Sequence, residues 1–132
     1  MSAQTNADAL RRGYDAFSRG DMDALRNELF SPTIVWHQGG RNQTSGDYTG
    51  IDAVLGLFAR LFELTDGTFS VEVDDICSSD THAVALARTH GTRAGKALQH
   101  GEYNHVCTFD GGKVVEAWIV NVDPYAIDEF FA

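Results

Sequence analysis

The sequence predicts a single α+β domain, in which three N-terminal helices pack over the concave face of a strongly curved antiparallel sheet. Three helix-like segments come first, four strand-like segments come last, and one strand lies between them. The chain has 132 residues, of which 43% are hydrophobic, enough to fill one core. No repeat or linker divides the chain, so residues 1–132 are predicted to form one domain.

Three segments show the periodicity of amphipathic helices. Apolar side chains recur at helical spacing in residues 6–18, with Asn6 as the predicted N-cap. Asp21 is a predicted N-cap for the second helix, and residues 49–52 fit a capping box that begins the third. The third helix carries a wide apolar stripe that must lie against a sheet, formed by Ile51, Val54, Leu55, Phe58, Leu61 and Phe62.

The clearest hairpin signal lies near the C-terminus. Two β-rich runs, residues 103–109 and 114–122, flank the turn Asp110-Gly111-Gly112-Lys113, whose glycines supply the positive φ angles of a tight reversal. Asp123-Pro124 then predicts the N-cap and first residue of a short terminal helix. Residues 38–48 are rich in Gly and Asn and predict a loop over the surface or a pocket mouth. The other predicted strands are residues 33–37, 69–76, 83–92 and 97–109.

The charge and the cysteines argue against several classes of protein. A net charge of −9 without any cluster of Lys and Arg argues against nucleic-acid binding. No apolar run is long enough to cross a membrane, and the first ten residues are too polar for a secretory signal. Cys77 and Cys107 lack paired spacing, which favours free thiols in a reducing, cytoplasmic compartment over a disulfide. The histidines lack metal-ligand spacing, so no metal site is expected.

Four short motifs run through nearly the whole chain. They are Tyr14-x-x-Phe17-x-x-Gly20-Asp21-x-x-Ala24-Leu25, Val35-Trp36-His37, Ser45-Gly46-x-x-x-Gly50-x-x-Ala53-Val54 and Phe109-Asp110-Gly111-Gly112-Lys113-Val114-Val115-Glu116-x-Trp118. In this order they resemble the nuclear transport factor 2-like superfamily, specifically its SnoaL-like (polyketide cyclase and ketosteroid isomerase-like) branch. The resemblance implies a cone-shaped, cystatin-like roll with a narrow apolar pocket, often in a dimer. This fold hosts isomerases, cyclases, dehydratases, epoxide hydrolases and non-catalytic binding proteins.

Two histidines lie at positions that the resemblance makes catalytic. His37 ends the first strand, on the opposite face from Trp36, and matches the carboxylate base of steroid isomerase-like members. An imidazole with a pKa near 6.5 would take a proton there beside a carbonyl. His105 falls where steroid isomerase-like members carry an oxyanion-side acid and where SnoaL-like cyclases carry a histidine. The alternative for both is a structural histidine with satisfied hydrogen bonds, or one exposed to water.

The strand before His105 carries Arg88 and His90. If Arg93 lies opposite Lys96 across a two-residue loop, the register places Arg88 and His90 on the face of His105. A slip of one residue reverses that conclusion. Epoxide hydrolase members use an arginine and an acid two residues apart on this strand, and here His90 stands in place of the acid.

The last strand carries the position that distinguishes the reactions catalysed within this family. SnoaL-like cyclases and epoxide hydrolases carry a catalytic aspartate six residues after the basic residue of the turn, and that position is Ile119, which cannot move a proton. The predicted register places Ala117, Ile119 and Asn121 on the pocket wall, where Asn121 orients a carbonyl or bonds across the sheet. Trp118 then faces the outer surface as a dimer contact, unless a bulge at the turn glycines brings it into the pocket.

Two tyrosines complete the predicted pocket. Tyr14 is one position away from the site where steroid isomerase-like members place their oxyanion tyrosine, and its helical stripe makes it a core residue whose hydroxyl reaches the cavity. Tyr103 shares the face of His105 and Cys107 on its strand. Tyr103 is therefore a second candidate for holding a ligand oxygen.

Two hypotheses follow for the function. The first is a cofactor-free enzyme of the isomerase, dehydratase or cyclase type, in which His37 is the base on a small apolar carbonyl compound and His105 holds the oxygen. The second is a non-catalytic ligand-binding or dimerisation module of the same fold. The missing aspartate at Ile119 favours the second hypothesis, and the two family-matched histidines favour the first. Both predict a homodimer formed through the outer sheet face.

Overall fold

A six-stranded sheet and four helices make up the fold of the computed structural model, which describes residues 2–132. The sheet has the strand order β2-β1-β6-β5-β4-β3. It is antiparallel except where β1 runs parallel to β6. The elements in chain order are α1 (Ala3–Ser18), α2 (Met22–Ala24) with a π-helical turn (Leu25–Leu29), β1 (Phe30–Gln38), β2 (Gly46–Thr49), α3 (Ile51–Leu64), β3 (Ser70–Ser78), β4 (His82–Arg93), β5 (Lys96–Asp110), β6 (Lys113–Asn121) and α4 (Pro124–Phe130). The predicted α+β fold class is confirmed.

The helix caps match the sequence-based expectations in part. Asp21 caps α2, because its Oδ1 accepts a hydrogen bond from the Ala24 amide at 3.1 Å. Helix α1 instead begins after Ser2, whose hydroxyl accepts from the Thr5 amide at 3.1 Å. The predicted N-cap Asn6 is buried inside α1, where its Nδ2 donates to the Ser79 carbonyl at 3.0 Å. A polar residue that early in a helix is equally able to anchor a neighbouring loop.

The segment predicted as a loop contains a short strand. Residues 46–49 form β2, which pairs antiparallel with the end of β1. Thr49 therefore lies in a strand, and the predicted capping box at α3 is wrong. Gly50 occupies the N-cap with a φ of 89°, a value that favours glycine, and makes no side-chain cap. Residues 39–45 remain irregular, as predicted.

The C-terminal hairpin has the predicted geometry. Asp110 pairs with Lys113, and both intervening glycines have positive φ. The Asp123 side chain accepts a hydrogen bond from the Ala126 amide at 3.2 Å and caps α4, with Pro124 at the start of that helix. Alternate residues of β5 and β6 face the helices, and their Cα partners are Tyr103↔Asn121, His105↔Ile119 and Cys107↔Ala117.

The core lies between this concave face and the helices. Phe58 of α3 contacts Phe17 of α1 and Trp36 of β1, with ring centroids 5.3 Å and 5.1 Å apart and nearly perpendicular ring planes. Val114 and Ala117 of β6 are fully buried beneath them. No helix within residues 2–132 is both long and apolar enough to span a bilayer.

Two helical glycines differ in the space around them and give opposite predictions. A Cβ added at Gly13 in α1 would lie 2.3 Å from Leu29 Cδ2, whereas one at Gly56 in α3 would meet nothing within 4 Å. We expect Gly13→Ala to lower the free energy of unfolding by roughly 1–3 kcal/mol through overpacking. Gly56→Ala should raise it by about 0.5–1 kcal/mol because alanine favours the helix. Urea titration measures both, and equal effects of the two variants would contradict the packing described at Leu29.

Candidate functional site

A cavity with a volume of about 80 Å³ lies between the concave face of the sheet and the helices. This volume exceeds what a single water molecule needs, which is about 10–15 Å³. Among residues 2–132, no Asp, Glu, Lys or Arg lines it. The apolar lining consists of Leu10, Phe17, Leu25, Leu29, Phe30, Trp36, Phe58, Leu61, Phe69, Val71, Ile119, Ile127 and Phe131. The cavity therefore suits an uncharged, mostly apolar guest.

A chain of hydrogen-bonding side chains lies along one wall of the cavity. Helix α1 supplies Tyr14, whose hydroxyl lies 3.0 Å from that of Tyr103 and 2.8 Å from His105 Nδ1. Strand β5 supplies Tyr103, His105 and Cys107 because alternate residues share one face. The Cys107 Sγ lies 3.2 Å from His105 Nε2 and ends the chain. Trp36 packs over the imidazole, with ring centroids 4.8 Å apart.

The protons of these hydrogen-bonded side chains can be ordered in two directions, so that each group donates to the next. A neutral imidazole carries one N–H, so one ring nitrogen donates and the other accepts. If the Cys107 thiol donates to His105, the imidazole donates to Tyr14, Tyr14 donates to Tyr103, and the Tyr103 hydroxyl is free to donate. If the order reverses, Tyr103 donates to Tyr14, and the Tyr103 oxygen accepts instead. Tyr103 therefore offers the cavity either a donor or an acceptor without any group becoming ionised.

Burial keeps the four hydrogen-bonded side chains neutral. Desolvation lowers the pKa of His105 to about 3 and raises the pKa values of Tyr14, Tyr103 and Cys107. An unfolded chain protonates His105 near pH 6.5, whereas the folded chain does so only near pH 3. The contribution of His105 to stability is therefore complete above about pH 6.5 and falls as the pH drops below it. In this environment His105 is a hydrogen-bonding group and a weak base.

Two amide side chains form a second polar region on the cavity lining. Gln38, at the end of β1, accepts a hydrogen bond from Trp36 Nε1 at 2.9 Å. Asn121, at the end of β6, has a buried Nδ2 without a hydrogen-bond partner among residues 2–132. A buried donor left unpaired destabilises a fold by about 1–3 kcal/mol.

His37 lies on the outer face of the sheet, away from the cavity. Its Nδ1 is 2.7 Å from Asp47 Oδ1, its Nε2 is 2.7 Å from Glu116 Oε2, and its ring stacks on Trp118. The hydrogen bonds to Asp47 and then Glu116 raise the pKa of His37. The expectation that His37 and His105 share one pocket is thus corrected: they lie on opposite faces, because His37 follows Trp36 on the strand and Trp36 faces inward.

Arg88 also lies on the outer face, contrary to the predicted register. The structure pairs Arg88 with Glu102, so the register differs by one residue from the prediction. The cause is a bulge in β5, where the three steps from Leu98 to Gly101 face the two steps from Thr89 to Gly91, so the side chains beyond it change face relative to the turn. Arg88 binds carboxylates there, with its Nη2 2.8 Å from Asp74 Oδ1. Gly101, inside β5, was the sequence signal for this bulge.

Trp118 faces outward, as the predicted register of β6 requires. It is the Cα partner of Val106 and stacks on His37, with ring centroids 5.4 Å apart. The alternative in which a turn bulge brings Trp118 into the pocket is therefore corrected. The bulge near the turn lies between the pairs Phe109–Val114 and Thr108–Glu116, where β6 carries one extra residue, and beyond it Trp118 pairs with Val106 on the outer face.

The SnoaL-like domain model matches residues 10–117 of this chain. The chain belongs to the SnoaL-like domain family. It is 31% identical over 133 residues to the uncharacterised protein Rv0034 of Mycobacterium tuberculosis, and both chains are covered completely.

Two solved structures support the same assignment. Bal32a, from a soil-derived mobile gene cassette, is 34% identical, has a TM-score of 0.89, and the alignment covers 98% of both chains. A Xanthomonas campestris protein of unknown function with a cystatin-like fold is 26% identical with a TM-score of 0.88, and the alignment covers 96% of this chain and 98% of the other. The cystatin-like roll is thereby confirmed.

Within this SnoaL-like domain, five of the predicted site residues border the cavity. They are Tyr14, Tyr103, His105, Ile119 and Asn121. Ile119 lies directly opposite His105. This chain therefore has an aliphatic side chain at the position where the resemblance places a catalytic aspartate in other members. Gln38 and Cys107 had not been predicted to take part. Gln38 lies at the end of a strand, where the sequence does not predict which face a side chain takes. Cys107 was predicted only to share a face with His105.

No group of three or more His, Cys, Asp or Glu side chains within residues 2–132 is arranged to hold a metal ion.

The two histidines should differ in an NMR titration of their ring protons. We expect His37 to titrate with a midpoint above 6.5, because two carboxylates stabilise its charged form. His105 should show no titration between about pH 5 and pH 8, because burial keeps it neutral. His37→Gln and His105→Asn variants assign the signals. A His105 signal that titrates near 6.5 would contradict the conclusion that His105 is buried and neutral.

Proposed function

We propose that this SnoaL-like protein binds a small, uncharged and mostly apolar compound through one of its oxygen atoms. The Tyr103 hydroxyl bonds to that oxygen, and Tyr14 and His105 orient it from behind. The observation that carries the proposal is the hydrogen-bonded group Tyr103–Tyr14–His105, backed by Cys107, on the wall of a mostly apolar cavity.

The uncharged state of the ligand follows from the lining. A carboxylate or ammonium group moved into this cavity would lose its hydration without gaining an opposite charge among the lining residues. Ketones, phenols and alcohols lose much less, because one or two hydrogen bonds replace those that they make in water. Tyr103 suits both kinds of oxygen, since it donates to a carbonyl and accepts from a hydroxyl.

A second candidate is cofactor-free catalysis beside a carbonyl, that is, isomerisation, dehydration or aldol-type cyclisation. The favouring observation is that the Tyr14 hydroxyl lies 3.0 Å from the Tyr103 hydroxyl and 2.8 Å from His105 Nδ1. Such donors stabilise the negative charge that develops on an enolate oxygen. We place binding first because His105, with a pKa of about 3, is a weak base.

Binding should depend on the Tyr103 hydroxyl. We expect Tyr103→Phe to weaken binding of phenol and cyclohexanone by roughly 2- to 10-fold, the share of one hydrogen bond. His37→Gln is the matched control on the outer face and should change affinity by less than about twofold. Isothermal titration calorimetry measures both. Unchanged affinity in Tyr103→Phe, or an equal loss of affinity in His37→Gln, would reject the proposed cavity.

The outer face of the sheet supports a proposed homodimer. Leu86 and Val120 are 39% and 50% exposed, and Asn104 of β5 pairs with both of them. With Trp118 alongside, they form an apolar stripe on this face. Large exposed apolar groups of this kind mark protein interfaces.

We also propose a reducing, cytoplasmic location, supported by Cys77 and Cys107 as free thiols.

Sedimentation equilibrium tests the dimer. We expect about twice the chain mass of 14.4 kDa at micromolar concentration. Val120→Asp should shift the protein towards the monomer, because it places an unpaired charge in the apolar stripe. Tyr125→Asp, at a residue that is 84% exposed away from the sheet, is the control and should leave the mass unchanged. A wild-type monomer at these concentrations would count against the interface.

A further inference from the structure

The unpaired amide of Asn121 is the feature that the proposed function leaves unexplained. Asn121 lines the cavity, and its Nδ2 is buried and lacks a hydrogen-bond partner within residues 2–132. A single oxygen held at Tyr103 gives this N–H group nothing to bind. An unpaired buried donor is destabilising, so its presence on a cavity wall points to a ligand atom that satisfies it.

Asn121 and Tyr103 lie side by side on the cavity wall. They are direct Cα partners across the β5–β6 pair, and both line the cavity. The Cβ atoms of directly opposite residues are about 4.5–5.5 Å apart, so the amide and the phenol start from neighbouring positions on the same wall.

The backbone beside Asn121 is closely packed at a glycine. A Cβ added at Gly39 would lie 2.6 Å from the Ile119 carbonyl oxygen and 3.9 Å from Asn121 Nδ2. The Gly39 amide donates to that same carbonyl at 3.2 Å, which holds the chain close to β6. A side chain at this position would clash with the β6 backbone, so Gly39 keeps the strand end that carries Asn121 in place.

We propose that Asn121 is a specificity-determining residue, and that the ligand carries two oxygen atoms on one edge, on adjacent carbons or on carbons one apart. One oxygen accepts a hydrogen bond from Asn121 Nδ2, and the other bonds to the Tyr103 hydroxyl as donor or acceptor. The proposal rests on the proposed function, since it adds a second anchor to the same cavity. The amide N–H groups only donate, so the second oxygen must have a free lone pair.

Four phenols test this spacing by isothermal titration calorimetry. Phenol carries one oxygen, catechol and resorcinol carry two on one edge, and hydroquinone carries two at opposite ends. We expect the better of catechol and resorcinol to bind wild-type protein about 3- to 10-fold more tightly than phenol, the value of one added hydrogen bond. Hydroquinone should gain less than about twofold. A gain for hydroquinone equal to that of the better diol, or no gain for any diol, would overturn the proposal.

Asn121→Leu should remove the selectivity and stabilise the fold. The ratio of the diol and phenol affinities should fall to about one, and the midpoint of thermal unfolding should rise because the unpaired donor is gone. Asn121→Val, with a strand-favouring side chain, provides the same test if leucine disturbs the packing. Thr108→Val, on the outer face of β5, is the control and should keep the wild-type ratio. An unchanged ratio in both Asn121 variants would overturn the proposal.

The same experiment separates this inference from the proposed function. If phenol fails to bind, or binds Tyr103→Phe as well as wild type, the proposed function fails and the inference fails with it. If phenol binding depends on Tyr103 but neither diol gains affinity, the inference alone is rejected.

Discussion

The register between β5 and β6 is the constraint on which the site depends. It places Tyr103 and His105 on the concave face, directly opposite Asn121 and Ile119. A shift of one residue would turn all four side chains outwards and bring the opposite set into the cavity. The hairpin turn and a bulge beside it set this register together, because Asp110 and Lys113 pair across two glycines with positive φ, and the extra residue Val115 in β6 then shifts the pairing by one. The chemistry of the cavity therefore follows from the turn and the bulge at the far end of the strands.

The sheet separates two histidines into opposite electrostatic environments. On the outer face, Asp47 and Glu116 raise the pKa of His37, so its charged form is favoured. On the inner face, burial among aromatic rings keeps His105 neutral, and its hydrogen bonds orient Tyr14. The cavity thus holds polar atoms without holding charge, a combination that suits recognition of neutral oxygen compounds better than strong acid–base catalysis.

Features set within a short stretch of sequence were predictable, and features set by the pairing of distant residues were not. The fold class, the Asp21 cap and the C-terminal hairpin follow from turn chemistry and periodicity within short windows. The face on which Arg88 lies was not predictable by counting alternate residues from the turn, because the bulge in β5 between Leu98 and Gly101 adds one residue to the count. His37 was assigned by family resemblance alone, although its strand alternation with Trp36 already placed it on the other face.

Infrared spectroscopy of a bound ketone tests the central claim, that the Tyr103 hydroxyl, oriented by Tyr14, donates to a ligand oxygen inside a neutral cavity. Cyclohexanone with an isotope-labelled carbonyl should show a lower C=O stretching frequency when bound to wild type than in an alkane solvent. This shift should become smaller in Tyr103→Phe. A bound carbonyl whose frequency matches the alkane value, with no change in Tyr103→Phe, would show that the hydroxyl does not hold the ligand, and would contradict the account.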